Sequence, residues 1–237
     1  MPHRRACDLT DAERADAIRD SEIGADLDAE TVARLAAAST AYDFRRRRFV
    51  YRAGDAADAL YVVARGRVKL CRVEPGTDRE AVIDILPTGA LFGEFALYTT
   101  TGAHQMSAAA FENTRVLRIP VGEFKLAMGE SRELNHHTLR LLGQRLSRSE
   151  RRVADFALDA IPARLEKLLA ELSERYGREE PGGVLIDIAL PHREIASIVG
   201  STRESVTVRL NDLRRAGVID FVDRKILLKH PTEMATA

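Results

Sequence analysis

The stretch that decides the reading is Pro191–Phe221, PHREIASIVGSTRESVTVRLNDLRRAGVIDF. Pro191 suits the first position of a helix, where its missing N–H costs nothing. Ile195, Ile198 and Val199 share one face, and Ala196 is small where a second helix must come close. Gly200 permits the sharp turn between two helices. Ser201-Thr202-Arg203-Glu204 opens the next helix as a Ser-x-x-Glu capping box. Val206, Leu210 and Leu213 give that helix a buried stripe at i, i+4 and i+7, while Arg203, Ser205, Arg209 and Asn211 occupy its other face. Gly217 ends it. Val218–Phe221 and Lys225–Leu228, joined around Asp223-Arg224, read as a hairpin wing.

Two short helices, a glycine turn and a wing make a winged helix-turn-helix, whose second helix enters the major groove. The expected partner is double-stranded DNA. Arg203 can donate two hydrogen bonds to guanine, and Glu204 can accept one from cytosine. Thr202, Ser205, Thr207 and Arg209 are expected to bind phosphates and set the register.

Upstream, residues 131–159 hold the most regular pattern in the chain. Leu139, Leu142, Leu146, Ser149, Val153 and Phe156 are spaced 3, 4, 3, 4, 3, and Arg140, Gln144, Arg145, Arg148, Arg151 and Arg152 lie between them. So narrow an apolar seam suits a coiled coil better than a broad globular face, which predicts a homodimer. The alternative is a helix packed only on its own β domain. Asn135 and Ser149 are polar members of the stripe. Asp159 and Pro162 then mark a cap and the first turn of a new helix with an apolar face from Ile161 to Tyr176, ended by Gly177. Arg178–Gly183 reads as a loop and Val184–Leu190 as a short strand.

From Tyr42 to Ile119 short β-type runs recur at Phe49–Tyr51, Leu60–Ala64, Arg67–Val73, Ala81–Leu86, Ser107–Ala110 and Arg115–Ile119, punctuated by glycines. This predicts one antiparallel β-roll. Glu74-Pro75-Gly76-Thr77 reads as a turn between two of its strands, and Arg45–Arg48 as a charged, solvated edge strand in preference to a nucleic-acid patch. Leu27, Val32 and Leu35 indicate a short helix over 28–38 with Asp28 as its cap. Residues 1–20 read as disordered or weakly helical, and the expected division is a flexible leader over 1–20, an effector-type β-roll over 21–130, a dimerisation helix over 131–159 and a DNA-binding domain over 160–237. The fold class is α+β.

Composition bounds the rest. The chain has 237 residues, 45% hydrophobic and 30% charged, which allows two soluble domains. No run of about 18 apolar residues exists, and the N-terminus lacks the apolar stretch of a secretory signal, so no membrane partner and a cytoplasmic location are expected. Lys plus Arg and Asp plus Glu both number 36, so DNA must be met by a local basic face. Cys7 and Cys71 have no metal-ligand spacing. Cys71 lies in an apolar run and is expected to be packing, while Cys7 falls in the leader. His104, His136 and His137 could ligate haem iron, but lone histidines without a supporting pattern are usually surface or structural. No His-x-His, Ser/His/Asp grouping or phosphate-cradling loop is present, so no catalytic residue, metal or cofactor is expected.

The order of parts resembles the cyclic-AMP receptor protein/fumarate-nitrate reductase regulator (CRP/FNR) superfamily over nearly the whole chain. The resemblance is carried by Gly54-Asp55, Leu60–Val68, Gly93-Glu94, the seam helix and Ile198–Val206, IVGSTRESV. It implies a cyclic-nucleotide-binding-like β-roll (a double-stranded β-helix), a central dimerisation helix, a palindromic operator and contact with RNA polymerase. It also implies an effector pocket at Gly93, Glu94, His104, Gln105, Ser149 and Glu150. Members that bind cyclic AMP carry Arg-Ser where this chain has His104 and Gln105, and Thr-Ser where it has Ser149 and Glu150. The cyclic phosphate thereby loses its bidentate, permanently charged partner. The expectation is a regulator that does not depend on cyclic AMP and is active without an effector. The alternative is one gated by an unidentified small molecule, or haem, in the roll. Cys7 alone cannot supply the cysteine cluster of iron–sulfur members. The family's third base-reading position, usually Arg, is Val208, which offers at most an apolar contact to a thymine methyl.

Overall fold

The structure is a computed structural model and describes residues 5–74, 76 and 80–229. The chain forms two compact units, residues 1–148 and 149–237. This boundary falls inside the long helix.

In the first unit the order is β1 (Arg5–Ala6), α1 (Asp11–Arg19), α2 (Ala29–Ala38), β2 (Thr40–Phe44), β3 (Phe49–Tyr51), β4 (Ala59–Arg65), β5 (Val68–Val73), β6 (Glu80–Leu86), β7 (Leu91–Phe92), a 3-10 turn (Glu94–Leu97), β8 (Ser107–Ala110), β9 (Thr114–Pro120) and α3 (Val121–Glu130). Helix α4 (Arg132–Leu158) follows and runs on into the second unit. Two antiparallel sheets, ordered β1-β2-β9-β4-β7 and β3-β8-β5-β6, make the roll. Ala59, Tyr61 and Val63 of β4 pack with Phe44, Tyr51, Leu70 and Phe92 inside it. Leu60 and Val62 face the other way, onto Ile18, Val32, Leu35, Phe124 and Leu134. Strand β4 therefore reads as a continuous apolar run because both its faces are covered.

Asp28 caps α2 by accepting a hydrogen bond from the Thr31 amide at 2.7 Å, as expected. Cys71 is fully buried. Two expectations are corrected. The leader is structured among its described residues: Thr10 and Glu13 form a capping box, Ala15 and Ile18 are buried, and the Cys7 amide bonds to the Ala41 carbonyl at 3.1 Å. Arg45–Arg48 is the exposed turn between β2 and β3, with Arg47 in the left-handed region, and not an edge strand. Of the expected turn at Glu74–Thr77, Pro75 and Thr77 lie outside the described residues.

Helix α4 presents two stripes. Leu134, His137, Thr138 and Leu141 are buried in the first unit, and Arg145 and Arg148 continue that face one and two turns on. The predicted seam lies elsewhere: Leu139, Leu146 and Val153 are each more than 60% exposed, Phe156 is 48% exposed, Leu142 is half-buried and Ser149 is exposed.

The second unit continues with α5 (Ile161–Tyr176), β10 (Gly177–Glu180), β11 (Gly183–Ile186), α6 (His192–Val199), α7 (Arg203–Arg215), β12 (Ile219–Val222) and β13 (Lys225–Lys229). Leu165, Leu169, Leu172, Ile186, Ile195, Val199, Val206, Leu210 and Ile219 are buried. The expected loop Arg178–Gly183 is instead a hairpin: β10 pairs with β11, whose other edge joins β13, so the wing is part of a four-stranded sheet β10-β11-β13-β12. The polar run at 177–180 acquires strand form by pairing. Asp159 does not cap α5. Ala160 holds that position, and Asp159 pairs with Lys167 at 2.6 Å.

Because Ile18 is fully buried in the helical side of the first core, Ile18→Ala is expected to cost about 2–5 kcal/mol in chemical denaturation. A cost below about 0.5 kcal/mol, the range of ordinary surface changes, would show that α1 is not part of the folded unit.

Candidate functional site

Helix α6 starts at His192, one residue after Pro191, and ends at Gly200, whose φ of 65° is left-handed. A Cβ at Gly200 would lie 2.6 Å from the ring of Phe156, so glycine serves both the turn and this close approach. Phe156 is thus not only a seam residue. Its ring packs against the turn and lies under the Arg164 guanidinium at 4.8 Å.

Helix α7 is capped by Thr202, not Ser201. The Thr202 hydroxyl accepts from the Ser205 amide at 3.2 Å. The predicted capping box therefore does not form, because Glu204 sits two positions past the cap and cannot fold back on it. Arg203 and Glu204 are exposed and make no hydrogen bond or ion pair through their side chains among the described residues. Ser205 is exposed beside them, and Val208 is 61% exposed on the next turn. Val206, Leu210 and Leu213 hold the opposite face in the core.

With Thr202 in the cap, two more of the expected phosphate ligands are already engaged. The Thr207 hydroxyl donates to the Arg203 carbonyl at 2.8 Å, so it accepts from Nδ1–H of His192, also at 2.8 Å. The His192 ring lies 6.2 Å from that of Phe221, which links α6, α7 and the wing. Burial, and next the Arg203 charge, hold the His192 pKa below the ordinary histidine value. Arg209 pairs with Glu166 of α5 at 2.6 Å. Sequence reasoning missed His192 as the partner of Thr207. Its place at the start of α6 was the available signal.

In the roll, Gly93 has φ of 77°, and a Cβ there would meet the Tyr61 ring at 2.9 Å. Glu94 is taken: Arg145 of α4 reaches its Oε1 at 2.6 Å, and the same guanidinium donates to the Leu91 carbonyl and stands 3.6 Å from Glu22. Arg148 adds a contact to Asp84 at 3.1 Å. His104 is buried and stacks on Tyr51, with centroids 3.6 Å apart and planes 7° from parallel. Tyr61 and Phe92 complete the cluster. Nε2 of His104 is buried with no hydrogen-bond partner among the described residues. Gln105 is exposed, and Ser149 and Glu150 are exposed residues of the second unit. The roll therefore brings Gly93, Glu94 and His104 into one neighbourhood, with Arg145 the residue the sequence reading did not assign to it. No group of His, Cys, Asp or Glu with metal-binding geometry occurs among the described residues, and none of their helices is long and apolar enough to cross a membrane.

Residues 42–131 match the cyclic nucleotide-binding domain family, and residues 163–237 match the Crp-like helix-turn-helix domain family. A global nitrogen regulator of Nostoc is 31% identical over 193 residues, which cover 81% of this chain and 86% of that protein. The chain belongs to the CRP/FNR superfamily of transcription factors. A CRP-like cAMP-activated global transcriptional regulator of Mycobacterium tuberculosis is 29% identical over 193 residues, 81% of this chain and 85% of its own. The fold is that of the c-di-GMP responsive global regulator CLP of Xanthomonas campestris, with a TM-score of 0.74 at 23% identity, covering 86% of this chain and all of that one. In this CRP/FNR factor, then, the helix-turn-helix is a DNA-binding element and the roll is a cyclic-nucleotide-binding-like domain.

Burial holds the His104 pKa below the ordinary histidine value, against the weaker opposite pull of Asp58, Asp55 and Glu94. The unfolded chain therefore binds more protons as pH falls past that ordinary value, and the stability present above it is lost on acidification. The thermal midpoint of the CRP/FNR factor is expected to fall between about pH 7.5 and about pH 5.5, and less so in His104→Phe, which keeps a ring for the stack. Equal slopes in a differential scanning series would remove His104 from this role.

Proposed function

We propose that the protein is a sequence-specific transcriptional regulator that acts as a homodimer on a palindromic operator, does not depend on cyclic AMP and is active without an effector. The observation that carries the reading is the pair Arg203 and Glu204: both are exposed, both lack internal partners, and both sit at the first turn of a capped helix whose far side is core. A guanidinium and a carboxylate so placed supply a donor fork for guanine and an acceptor for cytosine. Thr202 and Arg209, engaged by the cap and by Glu166, act first as supports for that helix.

The exposed stripe Leu139-Leu142-Leu146-Val153-Phe156 supports the dimer, since a narrow apolar stripe of this spacing is stabilised by a second helix. Cyclic-AMP independence is supported by the roll: no arginine stands at positions 104 and 105, Glu94 is held by Arg145, and the aromatic stack occupies the interior beside it. One observation favours the second reading, an effector in the roll: the unpartnered Nε2 of His104 could accept a hydrogen bond from it. By family analogy RNA polymerase is the further partner.

The deciding experiment is an unbiased selection of duplexes by the purified protein, with and without cyclic nucleotides. The reading predicts half-sites about 34 Å apart in a palindrome, recovered equally in both arms. Recovery only with a nucleotide would overturn effector independence. Arg203→Ala is expected to cost roughly 1–3 kcal/mol on the selected site and to relax one base pair per half-site. An equal loss on all duplexes would make it a phosphate ligand. Leu146→Glu is expected to give a monomer by light scattering, with operator affinity lost. An intact dimer would remove the seam.

A further inference from the structure

His192 opens α6 and is half-buried. Base reading by Arg203 and Glu204 leaves it without a task, yet it touches both α7 and the wing. Its Nδ1–H donates to the Thr207 hydroxyl at 2.8 Å, and that hydroxyl donates to the Arg203 carbonyl, also at 2.8 Å. The ring lies 6.2 Å from that of Phe221 on β12. A threonine hydroxyl bonded to the carbonyl four residues back is ordinary in a helix. Here the hydroxyl also receives a donor from a second helix, and the carbonyl is that of Arg203. The first turn of α7 is thereby tied to α6 at the residue assigned to base reading.

The two ring nitrogens differ in what they can do. Nδ1 is committed: the Thr207 proton is spent on Arg203, so the hydrogen of the other bond comes from the ring. The neutral ring then carries its lone pair on Nε2, which makes no hydrogen bond among the described residues and is open to solvent. Protonation adds a charged donor at Nε2 and leaves Nδ1–H in place. Burial, and then the Arg203 charge, oppose that protonation in the free protein. Of the charges nearby in the chain, Arg193 and Glu194 of α6 pair with each other at 3.5 Å, and Asp220, beside Phe221, pairs with Lys229 at 3.5 Å. Arg214 lies over the Phe221 ring at 5.7 Å. A duplex brings the missing anion, because phosphates border the groove that α7 enters and the first helix of the motif crosses the backbone.

We propose that His192 is a two-ended positioning residue of the DNA interface: Nδ1–H fixes the first turn of α7 through Thr207, and Nε2 takes a phosphate of the bound duplex, gaining a proton from solvent as it does. This rests on the reading of Arg203 as a base-reading residue. A bidentate contact to guanine tolerates little displacement, so the tie through Thr207 serves specificity, while the phosphate contact serves affinity. The bound state holds the proton more tightly than the free state. Affinity therefore rises as pH falls through the bound pKa and levels off below the free one.

The test is operator binding by fluorescence anisotropy from about pH 8 to about pH 6 at fixed ionic strength, on the duplex that the unmodified protein selects. Affinity should rise toward acid, by at most about tenfold per pH unit for each histidine. His192→Asn, whose amide can still donate to Thr207, should lose that slope and keep its discrimination at the base pair read by Arg203. Its salt dependence at the acid end should be shallower by about one phosphate contact per half-site. Thr207→Val should do the opposite: the slope stays, and about tenfold of that discrimination goes, part of what a bidentate contact supplies. Thr207→Ser, which keeps the hydroxyl, should match the unmodified chain. Circular dichroism establishes that each variant is folded. Calorimetry in two buffers of different ionisation enthalpy counts the protons taken up on binding without any substitution. A flat pH profile in the unmodified protein, no proton uptake, an unchanged slope in His192→Asn, or full discrimination in Thr207→Val would each overturn the proposal. A protein that selects no duplex would overturn the base-reading account and this proposal with it.

Discussion

Helix α4 has to satisfy two surfaces at once. One stripe, Leu134-Thr138-Leu141-Arg145-Arg148, lies against the roll: the first three are buried, and the two arginines end on Glu94 and Asp84. The other, Leu139-Leu142-Leu146-Val153-Phe156, is left largely to solvent. The first stripe fixes the rotation of the helix on the roll and thereby decides which residues remain outside. Apolar area of that extent is not left in water without cause. The proposed dimer, and with it a two-fold operator, follows from this constraint more than from any property of the DNA-binding unit.

The same constraint shapes the roll. Arg145 is half-buried, and its charge is offset by Glu94 and Glu22. A partly buried ion pair of this kind is a modest source of stability but a costly one to break from one side. Glu94 is therefore held by its own chain. Beside it His104 is stacked on Tyr51, which with Tyr61 and Phe92 forms an aromatic cluster inside the roll.

Much of this was legible in the sequence because it is local. The helix-turn-helix depends on Gly200, a cap and an i, i+4, i+7 stripe, all within about two dozen residues, and the strands announced themselves by alternation and glycine turns. The cap was misplaced by one residue because Ser201 and Thr202 are both good caps and only the backbone decides between them. Helix α1 was left between disorder and weak helix because its apolar content is slight: Ala15 and Ile18 carry its burial, and its capping box was the unused signal. Strand β10 was missed because a polar run becomes a strand only when β11 is beside it. The roll-facing stripe of α4 has the same 4, 3, 4, 3 spacing as the exposed one, but two of its members are arginines, and pattern reading discounts charges. Contacts between distant residues, such as Arg145 with Glu94 or His104 with Tyr51, have no signature in one sequence.

The proposed dimer requires the exposed stripe to be covered by a second copy of the same chain. Sedimentation equilibrium of the unmodified protein at micromolar concentration, with no nucleotide added, tests this most directly. The expected result is a single species of twice the chain mass that persists on dilution to the concentrations at which operator is bound. A stable species of one chain mass that still selects a palindromic duplex would contradict it.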